Sequence, residues 1–380
     1  MRAVSLFTGA GGLDLGCEAA GFMTIAAVEH SPVARETLRA NKKFFPWLRQ
    51  EAIFEDIVGI DYGAVMESAE VEPGTVTLVH GGPPCTPFSK SGNWLKYKRE
   101  GADPKASLLD NYVEALRAIQ PKAFIMENVY GLAYGNQNRI VLQRFIAGVR
   151  SAGYAIDHQV LLASDYGVPQ ARQRLICVGV REDMLDLPAD LWRFEWPQPT
   201  YAGPHETRRA DNEHLPPHRT AAEAFDGLDE ELNPFESEEV VTGTFENELR
   251  EVPPGDNYLY LTAHRGHPNP KFEWRKRYWT FLLKLAPDRP SSTIQGQPGP
   301  WVGPFHWENR RLRVGELKRL MEFPDEFEIT GSRRDQQLQL GNAVPTRLGM
   351  VVALALKAEL LRLGAIDDTA SEISNSLRAA

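Results

Sequence analysis

Short apolar runs alternate with amphipathic stretches through the first half of the chain. Apolar runs predict buried strands at 4–7, 25–29, 75–79, 123–127, 155–162 and 175–180. The stretch 108–119 repeats apolar residues along one helix face, and Ser31-Pro32 is typical of a helix start. Strands that alternate with helices predict an α/β fold with a doubly wound parallel sheet, whose ligands bind beyond the carboxyl ends of the strands.

The pattern changes after residue 181. Residues 183–270 are rich in proline, histidine and charge and show weak periodicity, and helical spacing returns at 314–321. The apolar stretch 350–363 contains Lys357, Glu359 and Arg362, which favours an amphipathic helix over a membrane span. We therefore predict a large domain at 1–185, a smaller irregular domain at 186–335, and a segment at 336–380 that returns to the first.

Composition narrows the class of protein. The chain has 380 residues with 42 Lys+Arg against 51 Asp+Glu, a net charge of −9, which argues against a protein that simply coats nucleic acid and leaves a local basic cleft possible. Its three cysteines lack disulfide or metal spacing, so we predict no metal site and a reducing compartment. Without a signal-like or spanning segment, a soluble, cytoplasmic protein with no membrane contact is expected.

A glycine turn follows the first predicted strand. The sequence FTGAGGL at 7–13 lets a ligand approach the backbone and opens a helix with free N–H groups. Asp14 stands where the dinucleotide fingerprint needs a third glycine, which argues against a nicotinamide or flavin cofactor. Glu29 and Asp56, at the ends of the next two strands, could accept from ribose hydroxyls and an adenine amine. A cationic nucleoside such as S-adenosylmethionine suits this turn; an ordinary tight turn with surface acids is the alternative.

Three further strand-end segments carry candidate chemistry. Cys85 lies among the turn residues of GGPPCTPFS at 81–89, where a nucleophilic thiolate would be placed, although a lone cysteine is usually a small core residue. Glu127 closes an apolar run, so partial burial would favour a raised carboxyl pKa and proton donation to a ring nitrogen; a solvated acid is the alternative. Arg172 and Arg174 are expected to point to one side of a strand, or to be surface arginines.

Together these pieces resemble the C5-cytosine DNA methyltransferase family. The motifs occur in the family's order across nearly the whole chain: FTGAGGLDLG, the acid Glu29, Asp56-Ile57, GGPPCTPFS, ENV at 127–129, QARQR at 170–174, RPSSTI at 289–294, RRLRVGELKRLMEFP at 310–324 and LGNAVP at 340–345. The resemblance implies a Rossmann-like methyltransferase sheet in domain 1–185, a target-recognition domain at 186–335 and a returning segment at 336–380.

The resemblance also implies roles for single residues. Cys85 looks like the nucleophile that attacks cytosine C6, and Glu127 looks like the group that contacts N3 and the exocyclic amine. Arg172 and Arg174 look like the pair that hold the base and the catalytic loop, which Asn128 would brace. The S-adenosylmethionine pocket would comprise Phe7, Gly9, Gly11, Gly12, Leu13, Glu29, Asp56, Ile57, Pro84, Leu108, Asn342 and Ala343.

The implied substrate is double-stranded DNA with one cytosine flipped out of the helix. The implied protein is a monomeric DNA (cytosine-5-)-methyltransferase of a restriction–modification or host-protection system, with a restriction endonuclease as genetic rather than physical partner. Thr86 departs from the family, since most relatives carry glutamine there.

A basic and aromatic stretch at 264–279 is the candidate for DNA contact. Basic side chains neutralise phosphates, and a solvated helix is the alternative interpretation. The DNA-binding residues are predicted to be Ser89, Arg265, Lys271, Arg275, Lys276 and Arg277. The acidic stretch 223–251 is expected to be an exposed insertion that faces away from DNA.

Three alternative functions remain to be weighed. A tRNA cytosine-5 methyltransferase of the same fold would carry a Cys-Phe-Thr tripeptide, which this sequence lacks. A non-catalytic DNA-binding relative is disfavoured because Cys85, Glu127, Arg172 and Arg174 are all present. A dinucleotide oxidoreductase is disfavoured by Asp14.

Overall fold

The structure, a computed structural model, describes residues 1–84, 108–134, 136–204, 213–231, 233–275 and 278–367. The chain divides into two compact units. The first unit comprises Met1–Leu162, Gln173–Gln198 and the chain from Thr346 onward, and the second comprises Ala163–Arg172 and Pro199–Pro345. The first unit is therefore assembled from three separate stretches of sequence.

Across the described residues the strands are β1 (Arg2–Leu6), β2 (Met23–Val28), β3 (Ile53–Phe54), β4 (Leu78–Gly81), β5 (Ala123–Val129), β6 (Tyr154–Leu162), β7 (Gln170–Ala171), β8 (Gln173–Arg181) and β9 (Ser291–Ser292). Seven of them form the sheet of the first unit in the order β3-β2-β1-β4-β5-β8-β6. The central strands are buried on both faces, which explains why the sequence shows continuous apolar runs there. The mixed α/β fold with a Rossmann-like sheet is confirmed.

The direction of one strand differs from the expected all-parallel sheet. Neighbours from β3 to β5 pair in parallel, whereas β8 runs antiparallel to both β5 and β6. Only the short stretch 163–172 joins β6 to β8, and a parallel crossover needs a dozen or more residues. The short connection therefore requires β8 to reverse direction.

The helices in the described part of the chain are α1 (Gly12–Ala19), α2 (Pro32–Ala40), α3 (Tyr62–Ser68), α4 (Leu108–Ile119), α5 (Asn136–Ser151), α6 (Ala221–Phe225), α7 (Glu246–Glu251), α8 (Val314–Leu320), α9 (Arg333–Asn342) and α10 (Thr346–Arg362). The predicted helix at 108–119 coincides with α4. The predicted serine N-cap is confirmed at α2, where Ser31 accepts from the Ala34 amide.

Helix α10 closes the first unit against α1. A Cβ on Gly16 would lie 2.5 Å from the Met350 amide nitrogen and 2.6 Å from the Thr346 carbonyl oxygen, so the two backbones touch at this glycine. The charge in α10 is accommodated as well, because the buried Glu359 accepts from Trp192 Nε1 at 2.8 Å and pairs with Arg362. Among the described helices, none combines the length and apolar character that crossing a membrane demands.

The second unit consists of short elements and long irregular connections. Strands β7 and β9 pair in parallel, with Gln170 opposite Ser291. Its core is an aromatic and aliphatic cluster, against which four further aromatic side chains pack. The buried members are Val241, Leu249, Val252, Tyr258, Leu261, Leu282 and Phe305, and the packed aromatics are Phe245, Phe272, Phe281 and Trp301.

Candidate active site

The glycine turn joins β1 to α1 through a left-handed backbone. Phe7, Gly9 and Gly11 have φ of 54°, 56° and 82°, and Gly11 is the N-cap of α1. Glycine adopts this conformation without steric cost, whereas Phe7 is held there against its preference. A Cβ on Gly9 would meet no described atom within 4 Å, so this part of the turn borders open space.

Glu29 faces the turn from the end of β2. Its carboxylate accepts from the Gly9 amide at 2.6 Å and from the Ser31 amide at 2.7 Å, one bond on each oxygen. Each carboxylate oxygen keeps a further lone pair that can accept from a ribose hydroxyl. The open backbone and this carboxylate fit the nucleoside of S-adenosylmethionine.

The other predicted pocket residues of the first unit lie at neighbouring strand ends. Asp56 follows β3, is half exposed, accepts from the Val58 amide at 2.9 Å and lies 3.7 Å from the His30 ring. Ile57 and Leu13 are buried, and Pro84 is exposed. Asp56 therefore has oxygen atoms accessible to a ligand amine.

Glu127 and Arg174 form a buried ion pair across β5 and β8. Arg174 Nε donates to Glu127 Oε1 at 2.7 Å, and the two side chains are only 10% and 9% exposed. Burial lowers the pKa of Arg174 and the Glu127 carboxylate partly offsets this. A Cβ on Gly82 would approach Glu127 Oε2 to 2.9 Å, so residue 82 must be glycine for the carboxyl to sit there.

Asn128 holds the segment that precedes the predicted nucleophile. Its Nδ2 donates to the Pro83 carbonyl at 3.1 Å, and its Oδ1 accepts from the Val129 amide at 2.9 Å. Cys85 itself lies outside the described residues, as does Ser89. The side chain therefore ties β5 to a position two residues before Cys85.

Arg172 has surroundings different from those of Arg174. It belongs to the second unit, is fully buried between β7 and β8, and donates to the carbonyls of Gly341 at 2.7 Å, Ala343 at 2.9 Å and Ile294 at 3.3 Å. The expectation that both arginines share one side of one strand is wrong, because Arg172 lies in neither strand. The sequence did not predict that Arg172 would donate to carbonyl oxygens at the end of α9.

The last two predicted pocket residues, Asn342 and Ala343, lie at the end of α9 that Arg172 contacts. Asn342 ends α9 and is exposed, and Ala343 is the buried C-cap. A Cβ on Gly296 would lie 2.8 Å from Asn342 Oδ1, so the strand-like segment 294–296 packs closely on the end of this helix. Arg172 thus fixes the backbone on both sides of Asn342.

The described DNA-binding candidates of the second unit are exposed, and two of them form ion pairs with carboxylates. Arg265 Nη1 lies 3.0 Å from Asp256 Oδ2, and Lys271 Nζ contacts Glu251, which raises the pKa of Lys271. Arg275 is exposed, while Lys276 and Arg277 lie outside the described residues.

Most of the acidic stretch 223–251 is exposed, as predicted, but some of its acids pair with distant cations of the second unit. Glu248 and Glu251 face Lys271, and Glu239 is 1% exposed near Arg313. These pairings were not predictable from sequence because the partners are distant along the chain.

One buried polar pair of the first unit was also missed. Asp14 of α1 and His80 of β4 lie 3.9 Å apart and are both buried. Their positions within a glycine-rich turn and an apolar run are the only signals that the sequence offers.

Known proteins are similar to this chain over most of its length. The sequence model of the family "C-5 cytosine-specific DNA methylase" matches residues 1–358. Type II methyltransferase M.SacI from Streptomyces achromogenes is 45% identical over 379 residues, covering 94% of this chain and 93% of the relative. Type II methyltransferase M.BsuRI from Bacillus subtilis is 31% identical, covering 93% and 78%.

Solved structures share the fold. A prophage-encoded DNA modification methyltransferase of E. coli superposes with a TM-score of 0.65 at 20% identity, covering 94% of this chain and 99% of that one. The Dnmt2 methyltransferase of S. pombe gives a TM-score of 0.60 at 15% identity, with coverage of 94% and 99%.

Proposed function

Because the chain belongs to the C-5 cytosine-specific DNA methylase family, we propose that it methylates a flipped cytosine in one specific duplex sequence through a covalent adduct at Cys85. The coarser function is established: the chain is a DNA (cytosine-5-)-methyltransferase, and its methyl donor is S-adenosylmethionine. The sequence specificity, the covalent step and the flipping are the proposal.

The three cysteines support Cys85 as the nucleophile. Cys17 in α1 and Cys177 in β8 are fully buried, and burial raises the pKa of both thiols. A thiolate is the reactive form, so these two sulfurs are poor nucleophiles. In the sequence, Cys85 directly follows the exposed Pro84 and comes two residues after Pro83, whose carbonyl accepts from Asn128.

The chemistry requires the ring to be activated before transfer. The Cys85 thiolate forms a bond to C6, and the electron pair of the C5=C6 bond moves into the ring. Protonated Glu127 gives its proton to N3 and accepts from the exocyclic amine, so the ring charge is neutralised and the carboxylate left behind pairs with Arg174. When bound, S-adenosylmethionine supplies an electrophilic methyl group for C5. The C5 proton then passes to solvent, its electron pair restores the C5=C6 bond as the C6–S bond breaks to release the thiolate, and N3 returns its proton to Glu127.

The buried pair of Glu127 and Arg174 is the observation that carries this proposal. Arg174 fixes the carboxyl at 2.7 Å, Gly82 packs on its other oxygen, and Asn128 anchors the segment leading to Cys85. Groups held in advance of the reaction stabilise developing charge without rearrangement, which is the largest single contribution in many enzymes.

The substrate has to leave the helix to reach such groups. Unstacking a base costs roughly a few kcal/mol, which contacts to the remaining DNA offset. We propose that domain 1–185 carries out transfer, that domain 186–335 recognises the target through Arg265, Lys271, Arg275, Lys276 and Arg277, and that segment 336–380 completes the first domain. Ser89 would contact DNA beside the flipped base.

The biological setting is inferred from the relatives. Two relatives that this chain matches across most of their length are named Type II methyltransferases. We propose that this chain protects host DNA in a restriction–modification system, that it acts as a monomer in the cytoplasm, and that an endonuclease is its genetic partner.

Bisulfite sequencing of host DNA after expression tests activity and target together. The parent chain and Cys177→Ala should methylate one sequence, and Cys85→Ala should methylate none. Cys177→Ala is the matched control because it removes a buried thiol from β8. Methylation by Cys85→Ala at the parent rate would refute the covalent mechanism.

A fluorinated oligonucleotide tests the adduct directly. Fluorine at C5 prevents loss of the proton, so the parent chain should remain bound to DNA in the presence of the methyl donor. Peptide mapping should place the bond at Cys85. Attachment at another residue, or none with the correct sequence, would overturn the mechanism.

A further inference from the structure

A pair of polar side chains is buried beneath the glycine turn. His80 Nε2 lies 3.9 Å from Asp14 Oδ1, with side-chain exposures of 0% and 2%. Neither His80 ring nitrogen has a hydrogen-bond partner among the described residues; the Asp14 carboxyl has none at full hydrogen-bond geometry, although the Ser5 hydroxyl and the Asp14 amide lie close enough to favour its ionised form. Buried polar groups without partners are rare in native proteins, so this pair needs an explanation.

The pair lies between two parts of the catalytic unit. Asp14 is in the first turn of α1, two residues after Gly12 of the glycine turn. His80 is in β4, directly opposite Ser5 of β1, and the strand continues into the segment that ends at Cys85. A charge change at this pair is therefore adjacent to the turn that fits the methyl donor.

The charged surroundings of Asp14 are acidic. Burial raises the pKa of Asp14 to about 7, Glu18 of α1 and Glu29 after β2 raise it further, and the neighbouring Ser5 hydroxyl opposes the rise. Burial lowers the pKa of His80 to about 3. The cations of α10, which packs on α1, are Arg347, Lys357 and Arg362. Lys357 lies beside Gly21, beyond the end of α1, and Arg362 pairs with Glu359. Below about pH 7 the Asp14 carboxyl therefore holds a proton while the His80 ring stays neutral.

The methyl donor and its product differ in charge. S-adenosylmethionine carries a sulfonium, an ammonium and a carboxylate, and loss of the methyl group removes the sulfonium charge. A cation in the glycine turn favours the ionised carboxylate of Asp14, whereas the neutral thioether does not. The single N–H of the neutral His80 imidazole is available to donate toward an ionised Asp14.

We propose that Asp14, with His80 beside it, distinguishes methyl donor from demethylated product by charge, releasing its proton when the donor binds and retaining it when the product binds. The proton of the Asp14 carboxyl passes to solvent on donor binding, and one proton returns when product replaces donor. The inference rests on the proposed placement of the donor at the glycine turn. It assigns a ligand-specificity role to a pair outside the residues that touch the base.

The size of the effect follows from linkage. If the donor binds only ionised Asp14, donor affinity relative to product affinity rises up to about tenfold between pH 6 and pH 8. Donor binding at pH 7 then releases about half a proton, and product binding releases about none.

Titration calorimetry of the full chain tests this without any variant. S-adenosylmethionine and S-adenosylhomocysteine are titrated at pH 6, 7 and 8, in two buffers of different ionisation enthalpy. Proton release with the donor and not with the product is expected. Equal proton release for both ligands would overturn the inference while leaving the methyltransferase function intact. Failure of the donor to bind at any pH would overturn both the placement and the inference.

Variants then assign the proton to the pair. Asp14→Asn should remove the difference between the two ligands, and His80→Gln should shift the pH at which it appears. Thr24→Val is the matched control, because Thr24 is fully buried in β2 with an unpartnered Oγ1 among the described atoms. Proton release that persists in a folded Asp14→Asn variant would refute the assignment; if that variant does not fold, the measurement on the parent chain decides.

Discussion

Arg174 and Arg265 each hold a carboxylate at hydrogen-bond distance, but burial makes the two pairs behave differently. Arg174 lies 2.7 Å from Glu127 with both side chains about nine-tenths buried. Arg265 lies 3.0 Å from Asp256 with half of its side chain exposed. Water and salt screen the exposed pair, and neither screens the buried pair to the same extent.

The difference shows which charges can position a base and which can exchange partners. A buried pair has its geometry fixed before substrate arrives, and breaking it leaves an uncompensated charge. An exposed pair such as Lys271–Glu251 can release its cation to a phosphate at little cost. Similar pair geometry thus gives a fixed carboxyl in one unit and exchangeable cations in the other.

Removing the buried arginine is expected to have the largest effect. Arg174→Met leaves the Glu127 carboxylate buried without its cation, which should lower the free energy of unfolding by about 3–5 kcal/mol. The rate of methyl transfer should fall at least about 100-fold. Urea denaturation and single-turnover rates measure the two quantities.

Arg265→Met is the matched variant in the exposed pair. It should change the free energy of unfolding by less than about 1 kcal/mol. Equal losses of stability in the two variants would contradict the importance assigned to burial.

Arg172 is a buried arginine whose identified partners are carbonyl oxygens, so a variant at this position tests the effect of burial with carbonyl partners in place of a carboxylate. Arg172→Met should lower the free energy of unfolding by about 3 kcal/mol, because the Gly341 and Ala343 carbonyls lose a charged donor. Arg172→Lys should restore only part, since one ammonium cannot replace the planar fork. Denaturant midpoints test this, and an unchanged midpoint in Arg172→Met would contradict it.

The buried pair of Asp14 and His80 extends the comparison to pH. The raised pKa of Asp14 gives stability that is full below pH 3.8 and is lost up to about pH 7. The lowered pKa of His80 gives stability that is full above pH 6.5 and is lost as pH falls toward about 3. Between about pH 4 and 6.5 the two contributions oppose each other, because the unfolded chain keeps one proton on histidine and the folded chain keeps one on aspartate.

Asp14→Asn should expose the histidine contribution. Its free energy of unfolding should rise by about 1 kcal/mol per pH unit between pH 4.5 and 6.5, relative to the parent chain. Denaturation at fixed pH values measures the slope. Parallel stability curves for the variant and parent would show that Asp14 does not carry the assigned shift, and a flat curve for the variant would show the same of His80.

The smallest effect is expected at the exposed cation. Lys271→Ala should weaken binding of target duplex less than tenfold and reduce the salt dependence of log affinity by about 1. Glu251→Gln should strengthen binding, because it releases Lys271 from its partner. Fluorescence anisotropy across a salt series measures both, and an unchanged slope in Lys271→Ala would remove this residue from the DNA contact.

Much of the fold was predictable from sequence because strand burial and helix spacing are local signals. The strands β4 and β5 and the helix α4 were placed within a few residues. The direction of β8 was not predicted, since an apolar run has no direction and only the length of the preceding connection sets it.

The sequence predicted those parts of the candidate site that lie within a continuous motif, and it did not predict contacts between residues that are distant along the chain. Glu127, Asn128 and Gly9 were found from strand ends and glycine spacing. Arg172 and Arg174 contact different partners, and this was not predictable because the partners of Arg172 lie more than 100 residues away along the chain. The pairing of Lys271 with Glu251 likewise depends on folding of the irregular unit.

The glycine contact between α1 and α10 has a consequence for biosynthesis. The face of α1 that Gly16 presents is covered by Thr346 and Met350, which the ribosome adds long after α1 itself. Until those residues emerge, the helix that begins at the glycine turn has no backbone to pack against. A nascent chain must therefore wait for the synthesis of α10 before its first unit closes, and a chain stopped before α10 would be a target for quality-control proteases.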